Sequence, residues 1–396
     1  MKVLQINSVC GIRSTGRICT DIAEVLERAG HECKIAYGRE IVPAQYQKYA
    51  VRIGSDLDVK LHGLRARLFD AMGFGSKRAT KKFIEWVRAY DPDVIHLHNI
   101  HGYYINIKVL FHYLREAGKP VIWTLHDCWA FTGHCVHFDW IGCEKWKCGA
   151  CAHCSKRSGY PKSLFLDRSA RNFKKKRELF CGVPDLTLVT PSKWLADLAQ
   201  KSFFEGSPIK VIHNGIDTGV FKPTESDFRA KNGLENAVIV LGVASAWSES
   251  KGLSDFVRLS SLLGETHKIV LVGLTEAQKA ALPPEILGIT RTNNTKELAE
   301  IYTAADVFVN PTYQETFGMV NLEAQACGTP VITYHTGGTP ETLDSNSGIL
   351  VKKGDIEAVA RILQSGTPRT VQACADWDKN RCYAAYVNLY EEVGRV

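Results

Sequence analysis

The sequence predicts an α/β protein made of two doubly wound parallel sheets, and three observations predict it. Short runs rich in Val, Ile and Leu recur along the chain with helical stretches between them. They are continuous rather than alternating, as strands covered on both faces of a parallel sheet are. The series breaks at Glu205-Gly206-Ser207-Pro208 and then starts again, a cluster of breaker residues. Finally, 396 residues exceed what a single core usually organises.

Taken in order, Val3 to Ile6 reads as the first buried strand. A loop from Asn7 to Arg17 carries Gly11, Ser14, Thr15 and Gly16, and a helix from Ile18 to Arg28 stops at Gly30, glycine being a common helix terminator. Cys33 to Tyr37 is a second strand, and Asp93 to His98, entered through Asp91-Pro92, is a third. Leu110 to Glu116 is helical, and Val121 to Leu125 and Leu186 to Thr190 are further strands. After the break come a strand at Ile209 to Ile212 and the turn His213-Asn214-Gly215-Ile216-Asp217. A second series then runs: strand Val238 to Val243, helix Gly252 to Leu263, strand Lys268 to Val272, helix Thr295 to Ala304 and strand Val307 to Val309. A helix from Gly318 to Ala326 and a strand from Val331 to Thr333 follow, and the last helix is expected from Val371 to Val393. The two sheets are expected to face each other across a cleft.

Composition narrows the function classes. Hydrophobic content of 45% with 23% charge describes an ordinary soluble globular chain. No apolar run reaches the length of about 18 residues that a membrane-spanning helix needs. The stretch MKVLQINSVCGI reads as a strand rather than a signal peptide, so a cytoplasmic location is expected. There, the 13 cysteines should be mostly thiols or metal ligands. The net charge of +7 is uneven. Lys77, Arg78, Lys81 and Lys82 cluster near Phe83 and Trp86, and Arg168, Arg171, Lys174, Lys175, Lys176 and Arg177 cluster near Phe165 and Phe173. Solvated helix faces and an anionic membrane surface both fit such patches. Nucleic acid fits less well, because no recognition motif accompanies the charge.

The chemistry concentrates between Asn310 and Glu341, NPTYQETFGMVNLEAQACGTPVITYHTGGTPE. Glu315 lies in the loop after a strand and Glu323 on the following helix. Both can line a pocket at the carboxyl end of a parallel sheet, where open α/β sheets bind ligands. Phe317 and Gly318 place backbone N–H groups at the helix start, where the dipole favours an anion such as a diphosphate. Lys251-Gly252 ends another strand-to-helix loop, and a lysine there suits the neutralisation of a diphosphate leaving group. The first loop lacks the G-x-G-x-x-G dinucleotide fingerprint.

The Glu-x7-Glu pair within ETFGMVNLE, followed by ACGTPVI and TGGTPE, resembles the donor site of glycosyltransferase family 4, whose members are retaining enzymes of the GT-B fold. The turn Asn214-Gly215-Ile216-Asp217 resembles the family's NG-[IV]-D signature, where the second domain begins. The resemblance implies an acceptor-binding domain over 1–205, a donor-binding domain over 206–370, and a helix over 371–396 that returns to the first domain. It assigns Glu315 to a hydroxyl of the transferred sugar and Glu323 to the ribose hydroxyls. Phe317, Gly318, Met319, Val320 and Ser245 join the site of a UDP- or GDP-sugar donor. The N-terminal loop with Gly16 and Arg17 faces the donor diphosphate and the acceptor. His126, which follows a first-domain strand, matches a histidine that contacts the donor sugar. The family's usual arginine before Lys251 is replaced by Ser245 to Ser248, and Arg13 or Arg17 is the candidate substitute. His98, Asn99, His101, Tyr103 and Tyr104, with Asp127, form a polar and aromatic wall suited to sugar rings, here given to the acceptor.

Cys135, Cys143, Cys148, Cys151 and Cys154 lie in a loop spanning 128–154. Cys151 and Cys154 have chelate spacing, and Cys135 and Cys143 could complete a thiolate zinc site, with His134, His137 and His153 as spare ligands. Free thiols or disulfides are the alternatives. Retention could proceed through a covalent intermediate on a carboxylate or by same-face attack, in which the donor phosphate takes the acceptor proton. The absence of a suitable Asp-x-Asp implies no divalent metal at the diphosphate and no cofactor for catalysis. The loops HDCWAFTGHC and GCEKWKCGACAHC resemble bacterial capsule and exopolysaccharide enzymes within the family, which implies a lipid-linked saccharide acceptor at the inner membrane face. A soluble small-molecule or glucan acceptor is the alternative, and a zinc-stabilised nucleic-acid-binding protein a remote one.

Overall fold

The computed structural model describes residues 1–147, 149–344, 346–366 and 375–394. Cys148, and residues 371–374 where the last helix is expected to begin, lie outside them. The chain divides into two compact units, Met1–His213 with the final segment from Tyr383, and Asn214–Cys382.

Among the described residues, the first unit is a parallel sheet of β1 (Lys2–Ile6), β2 (Glu32–Tyr37), β3 (Ala50–Arg52), β4 (Val94–Leu97), β5 (Val121–Thr124), β6 (Leu186–Thr190) and β7 (Ile209–Val211). Their order is β3-β2-β1-β4-β5-β6-β7. Val3, Leu4, Ile95, Ile122 and Leu188 are fully buried, which explains why the strands read as continuous apolar runs. Helices α1 (Arg13–Arg28), α2 (Asp56–Phe69), α3 (Lys77–Tyr90), α4 (Ile107–Glu116), α5 (Ser169–Phe180) and α6 (Lys193–Gln200) connect them. Helix α1 starts five residues before the predicted Ile18, so Gly16 and Arg17 lie on the helix rather than in a loop. Its apolar spacing begins only at Ile18, and the polar RSTG turn hides the true start. Helix α4 starts three residues early, because the Asn106 side chain caps the Val109 N–H.

The second unit carries β8 (Val238–Val243), β9 (His267–Val272), β10 (Ile286–Ile289), β11 (Val307–Asn310), β12 (Val331–Tyr334) and β13 (Gly348–Val351), ordered β10-β9-β8-β11-β12-β13. Its helices are α7 (Phe228–Asn232), α8 (Leu253–Leu262), α9 (Glu276–Ala280), α10 (Thr295–Ala304), α11 (Met319–Ala326) and α12 (Ile356–Gln364). The sequence order reverses between β8 and β11, a switch point of the kind beside which α/β sheets bind ligands.

Helix α13 (Lys379–Val393) is the last described element. From Tyr383 onward it belongs to the first unit, where Tyr386 and Tyr390 are fully buried. The Tyr390 hydroxyl lies 2.6 Å from His96 Nδ1, and the Tyr386 hydroxyl 2.9 Å from Thr124 Oγ1. Among the described residues no helix is long and apolar enough to cross a membrane.

Candidate active site

In the second unit, strand β11 delivers Asn310 and then the loop that carries Glu315. Lys251, on a 3-10 turn ahead of α8, donates from Nζ to Glu315 Oε2 at 2.7 Å. The two side chains are about one-third and one-fifth exposed, so the pair is partly shielded yet open to a ligand. Glu315 Oε1 accepts from the Thr316 N–H at 3.1 Å. Residues 64 apart in sequence thus place an ammonium and a carboxylate together at the carboxyl end of the sheet.

Helix α11 begins beside them. Gly318 is its N-cap with φ +99° and no side-chain cap. The first N–H groups of any helix lack an intrahelical acceptor, so Met319 and Val320 direct backbone donors and the positive end of the dipole outward. Phe317 contributes its backbone alone, because its ring is buried against Trp377. Glu323 lies one turn into the helix, where its Oε2 accepts from the buried Tyr302 hydroxyl at 3.0 Å. The opposite side of α11 is pinned by amides: Asn310 to Asn321, Asn321 to Thr342, and Gln325 to the Asn321 and Thr342 carbonyls. Ser245 is exposed on the loop after β8.

The glycines beside these residues are sites of backbone approach. A Cβ on Gly252, φ +77°, would stand 2.3 Å from the Pro311 carbonyl oxygen. One on Gly337, φ +56°, would stand 1.7 Å from the Glu315 carbonyl oxygen. The Glu315 loop therefore lies against the Lys251 loop and the Gly337-Gly338 loop at once.

In the first unit a second set of polar side chains gathers at the ends of β4 and β5. His98 Nδ1 lies 3.0 Å from His126 Nε2, and His98 Nε2 lies 2.9 Å from Gln5 Oε1. His98 is 1% exposed, so its ring faces Gln5 and His126 rather than solvent. Burial holds the His98 imidazole well below its usual range, and burial brings His126 to about 4. Both are neutral at pH 7. His101 Nε2 lies 2.8 Å from Asp127 Oδ2. Burial pushes the Asp127 carboxyl up, but the charge and hydrogen bond of His101 outweigh it and bring it to about 2. His98, Asn99, His101, His126 and Asp127 line a cavity of about 10 Å³, room for about one water. Tyr103 is half-buried, whereas Tyr104 is core, with its hydroxyl on the Asn99 carbonyl. Sequence reasoning missed Gln5, whose place inside β1 reads as ordinary strand.

Arg17 is exposed on α1, and Arg13 is paired with Glu40 at 2.9 Å. In the cysteine loop the Cys135 thiol donates to Cys154, which raises the first thiol and lowers the second. Cys151 packs on Gly133, with its Cβ 3.0 Å from the position a Gly133 Cβ would take. His134 Nδ1 lies 2.6 Å from Asp70, and its buried Nε2 has no hydrogen-bond partner among the described residues. No group of three or more His, Cys, Asp or Glu side chains among the described residues is arranged to hold a metal ion.

Comparison with known proteins places these features. The family model for Glycosyltransferase Family 4 matches residues 15–220, and that for Glycosyl transferases group 1 matches residues 235–365. The putative colanic acid biosynthesis glycosyl transferase WcaC of Escherichia coli is 24% identical over 99% of this chain and 100% of its own. The D-inositol 3-phosphate glycosyltransferase of Corynebacterium jeikeium is 32% identical over 43% of this chain and 46% of its own. Among solved structures, the sucrose-phosphate synthase of Thermosynechococcus elongatus superposes with a TM-score of 0.70 at 17% identity, covering 99% of this chain and 98% of its own. Anabaena HepE in complex with UDP-glucose does so with a TM-score of 0.66 at 17% identity, covering 99% and 100%. The fold is GT-B, the protein is a glycosyltransferase, and the chain belongs to glycosyltransferase family 4.

Proposed function

We propose that the protein transfers a sugar, with retention, from a UDP- or GDP-sugar to a lipid-linked saccharide in the assembly of a bacterial capsule or exopolysaccharide. The observation that carries this reading is the Lys251–Glu315 pair beside the N-terminus of α11, with Glu323 one turn further on. The ammonium and the helix start suit the leaving diphosphate, and Glu315 suits a sugar hydroxyl and the positive charge that grows at the anomeric carbon. Glu323, held by Tyr302, suits the ribose. In the reaction the bond from anomeric carbon to phosphate oxygen breaks. The acceptor oxygen bonds to that carbon on the same face, and its proton passes to the departing phosphate. Lys251 meets the diphosphate charge in place of a metal ion. The sugar-nucleotide complex of HepE supports the donor class, and the full-length match to WcaC supports the polysaccharide acceptor.

An anionic membrane surface fits the first unit. Leu57, Leu61 and Leu64 form an exposed stripe on α2 at helical spacing, interleaved with Lys60, Arg65 and Arg67. The Leu164 N–H donates to the Arg67 carbonyl at 2.8 Å, which continues the stripe through exposed Leu164, Phe165 and Leu166. The Arg168 guanidinium lies 5.7 Å from the centre of the Phe69 ring. Of the aromatic residues near the basic clusters, Phe83 and Phe173 are core and Trp86 is half-buried. The apolar contribution therefore comes from α2 and the 164–166 segment.

Incubation with labelled UDP- and GDP-sugars, with membranes or with soluble acceptors, tests the reading. Label in a lipid extract, with the donor's anomeric configuration kept and no loss of rate in chelator, is expected. Label only on a soluble acceptor such as an inositol phosphate would favour the small-molecule alternative. An inverted product would overturn the assignment.

A further inference from the structure

The buried chain behind His126 fixes which of its nitrogens carries hydrogen. It starts at Gln5, a fully buried side chain on β1. Gln5 Nε2 donates to the Cys19 carbonyl oxygen at 2.9 Å and lies 3.3 Å from Cys33 Sγ. A carbonyl can only accept, so the amide cannot turn over without setting two acceptors against each other. Gln5 Oε1 therefore faces His98 Nε2, 2.9 Å away, and His98 must hold its hydrogen on Nε2. His98 is neutral, with burial holding it well below its usual range. Its Nδ1 is then a bare lone pair, and the His126 nitrogen 3.0 Å away, Nε2, must be the one that donates. His126 is also neutral at pH 7, so its Nδ1 carries a lone pair. That nitrogen has no hydrogen-bond partner among the described residues, and His126 is partly exposed and borders the small cavity at the ends of β4 and β5. The rings of His98 and His126 lie nearly parallel, 12° apart, with centroids 5.3 Å apart. The Trp123 indole holds the His98 carbonyl at 3.0 Å, and the His96 ring lies 3.9 Å from that of His98.

We propose that Gln5 and His98 are positioning residues that lock His126 as its Nε2–H tautomer, so that Nδ1 accepts a hydrogen bond from a hydroxyl of the bound sugar. This rests on the reading of His126 as a donor-sugar contact. It also makes the site selective. A hydroxyl can give its hydrogen to Nδ1, whereas a deoxy carbon leaves the nitrogen unpaired and a carboxylate sets lone pair against lone pair. Sites built to bond a hydroxyl reject the analogue that lacks it strongly. The sugar should therefore carry a free hydroxyl, not a uronate, at the carbon that meets His126.

The test is long-range proton–nitrogen NMR of the intact protein labelled with 15N-histidine, with resonances assigned from single histidine substitutions. Both His98 and His126 are expected as Nε2–H tautomers at pH 7.5. In Gln5→Leu the acceptor is gone, so His126 should become a mixture, and an even mixture halves the competent form and should raise the donor KM about 2-fold. Gln5→Glu, protonated in this fully buried place, can donate its O–H to the Cys19 carbonyl and accept from His98 with its other oxygen, so it should retain the Nε2–H tautomer of His126. A wild-type His126 found as Nδ1–H overturns the proposal, and that measurement needs no variant to fold. A Gln5→Leu protein with mixed tautomers and unchanged kinetic constants overturns the functional half. If the tautomers are as expected but His126→Ala leaves donor kinetics unchanged, the reading of His126 itself falls.

Discussion

The two site glutamates should fail in different ways, and the structure says by how much. Glu323→Gln keeps an oxygen for the buried Tyr302 hydroxyl, so the fold should be unaffected. What goes is the charge on the carboxylate proposed to hold the ribose. Those bonds exist in the ground and transition states alike, so their loss appears in KM. One charged hydrogen bond of about 1.5 kcal/mol corresponds to roughly a 10-fold rise in donor KM at nearly constant kcat. Glu315→Gln removes a charge proposed to face a cationic sugar present only in the transition state, and kcat should then fall about 100-fold, or roughly 2.7 kcal/mol. Lys251→Ala should do the same, because charge on the leaving diphosphate grows as the bond breaks. The 2.7 Å contact between Lys251 and Glu315 adds a further requirement. Groups in direct contact do not act independently. The double variant should therefore lose clearly less than the product of the two single losses, nearer about 10³-fold than 10⁴-fold. Steady-state kinetics with saturating acceptor measure all four proteins. If Glu315→Gln kept full kcat and lost only donor affinity, or if the double variant lost the full product, the reasoning would be refuted.

The first unit should weaken in mild acid. His62 is buried, accepts from the Gly75 N–H at Nε2 and contacts Ser76 through Nδ1. Burial lowers it from 6.5 to about 4. Below pH 6.5 the unfolded chain takes up a proton that the folded chain refuses until about pH 4, so stability is full above 6.5 and is lost through that window. The loss should reach roughly 2–3 kcal/mol at pH 4.5. The gap between urea midpoints at pH 7 and 4.5 should narrow in His62→Gln without closing, since His98 and His126 are also held low by burial, and an unchanged gap would argue against His62 as a cause. Cys135, Cys143, Cys151 and Cys154 are not grouped as a metal site among the described residues, so zinc uptake by the cysteine loop is proposed only with a rearrangement that brings their thiolates together. Protein purified without chelator should then carry about one equivalent, and less than about a tenth would end the idea. Flotation should recover the protein with anionic vesicles in a salt-sensitive way, and Leu61→Asp with Leu64→Asp should cut recovery about 10-fold. Equal recovery with neutral vesicles at any salt would contradict the α2 surface.

How far the sequence could be read depended on the range of the contacts. Strands β1, β4, β5, β8 and β11 were legible because burial on both faces forces unbroken apolar runs. The three-residue β3 and the exposed stripe of α2 carry no such signal. On α2 the leucines lie on the outward face while His62 and Ala66 face inward, which inverts the usual pattern. Lys251 and Glu315 could be nominated separately, since each follows a strand, but their ion pair could not, because 64 residues lie between them. His98 looked like a ligand residue because polar groups at strand ends usually are. Its ring is buried against Gln5, 93 residues away. A hydrogen-bond chain assembled from three strands leaves no mark in any one of them.

The glycines of the donor motif illustrate the same limit from the other side. In sequence they read as a way to bare backbone N–H groups to a diphosphate. Gly318 fits that use, since it opens α11 at φ +99°. Gly252 and Gly337 do something else. Each lets one loop press its backbone on another, and any side chain there would strike a carbonyl oxygen at 1.7–2.3 Å. The position of Glu315 is therefore set by main chain on two sides, Gly338 N–H to its own carbonyl at 3.3 Å among them. Backbone contacts cannot swing as a long side chain can. In the proposed role, a carboxylate that meets a sugar carbon as charge develops gains from such a mount, because preorganisation requires that nothing move at the moment of reaction. The motif's glycines and its acid are thus one device. The glycines fix the base of Glu315, Lys251 fixes its tip, and the ion pair between them is what a donor would have to engage.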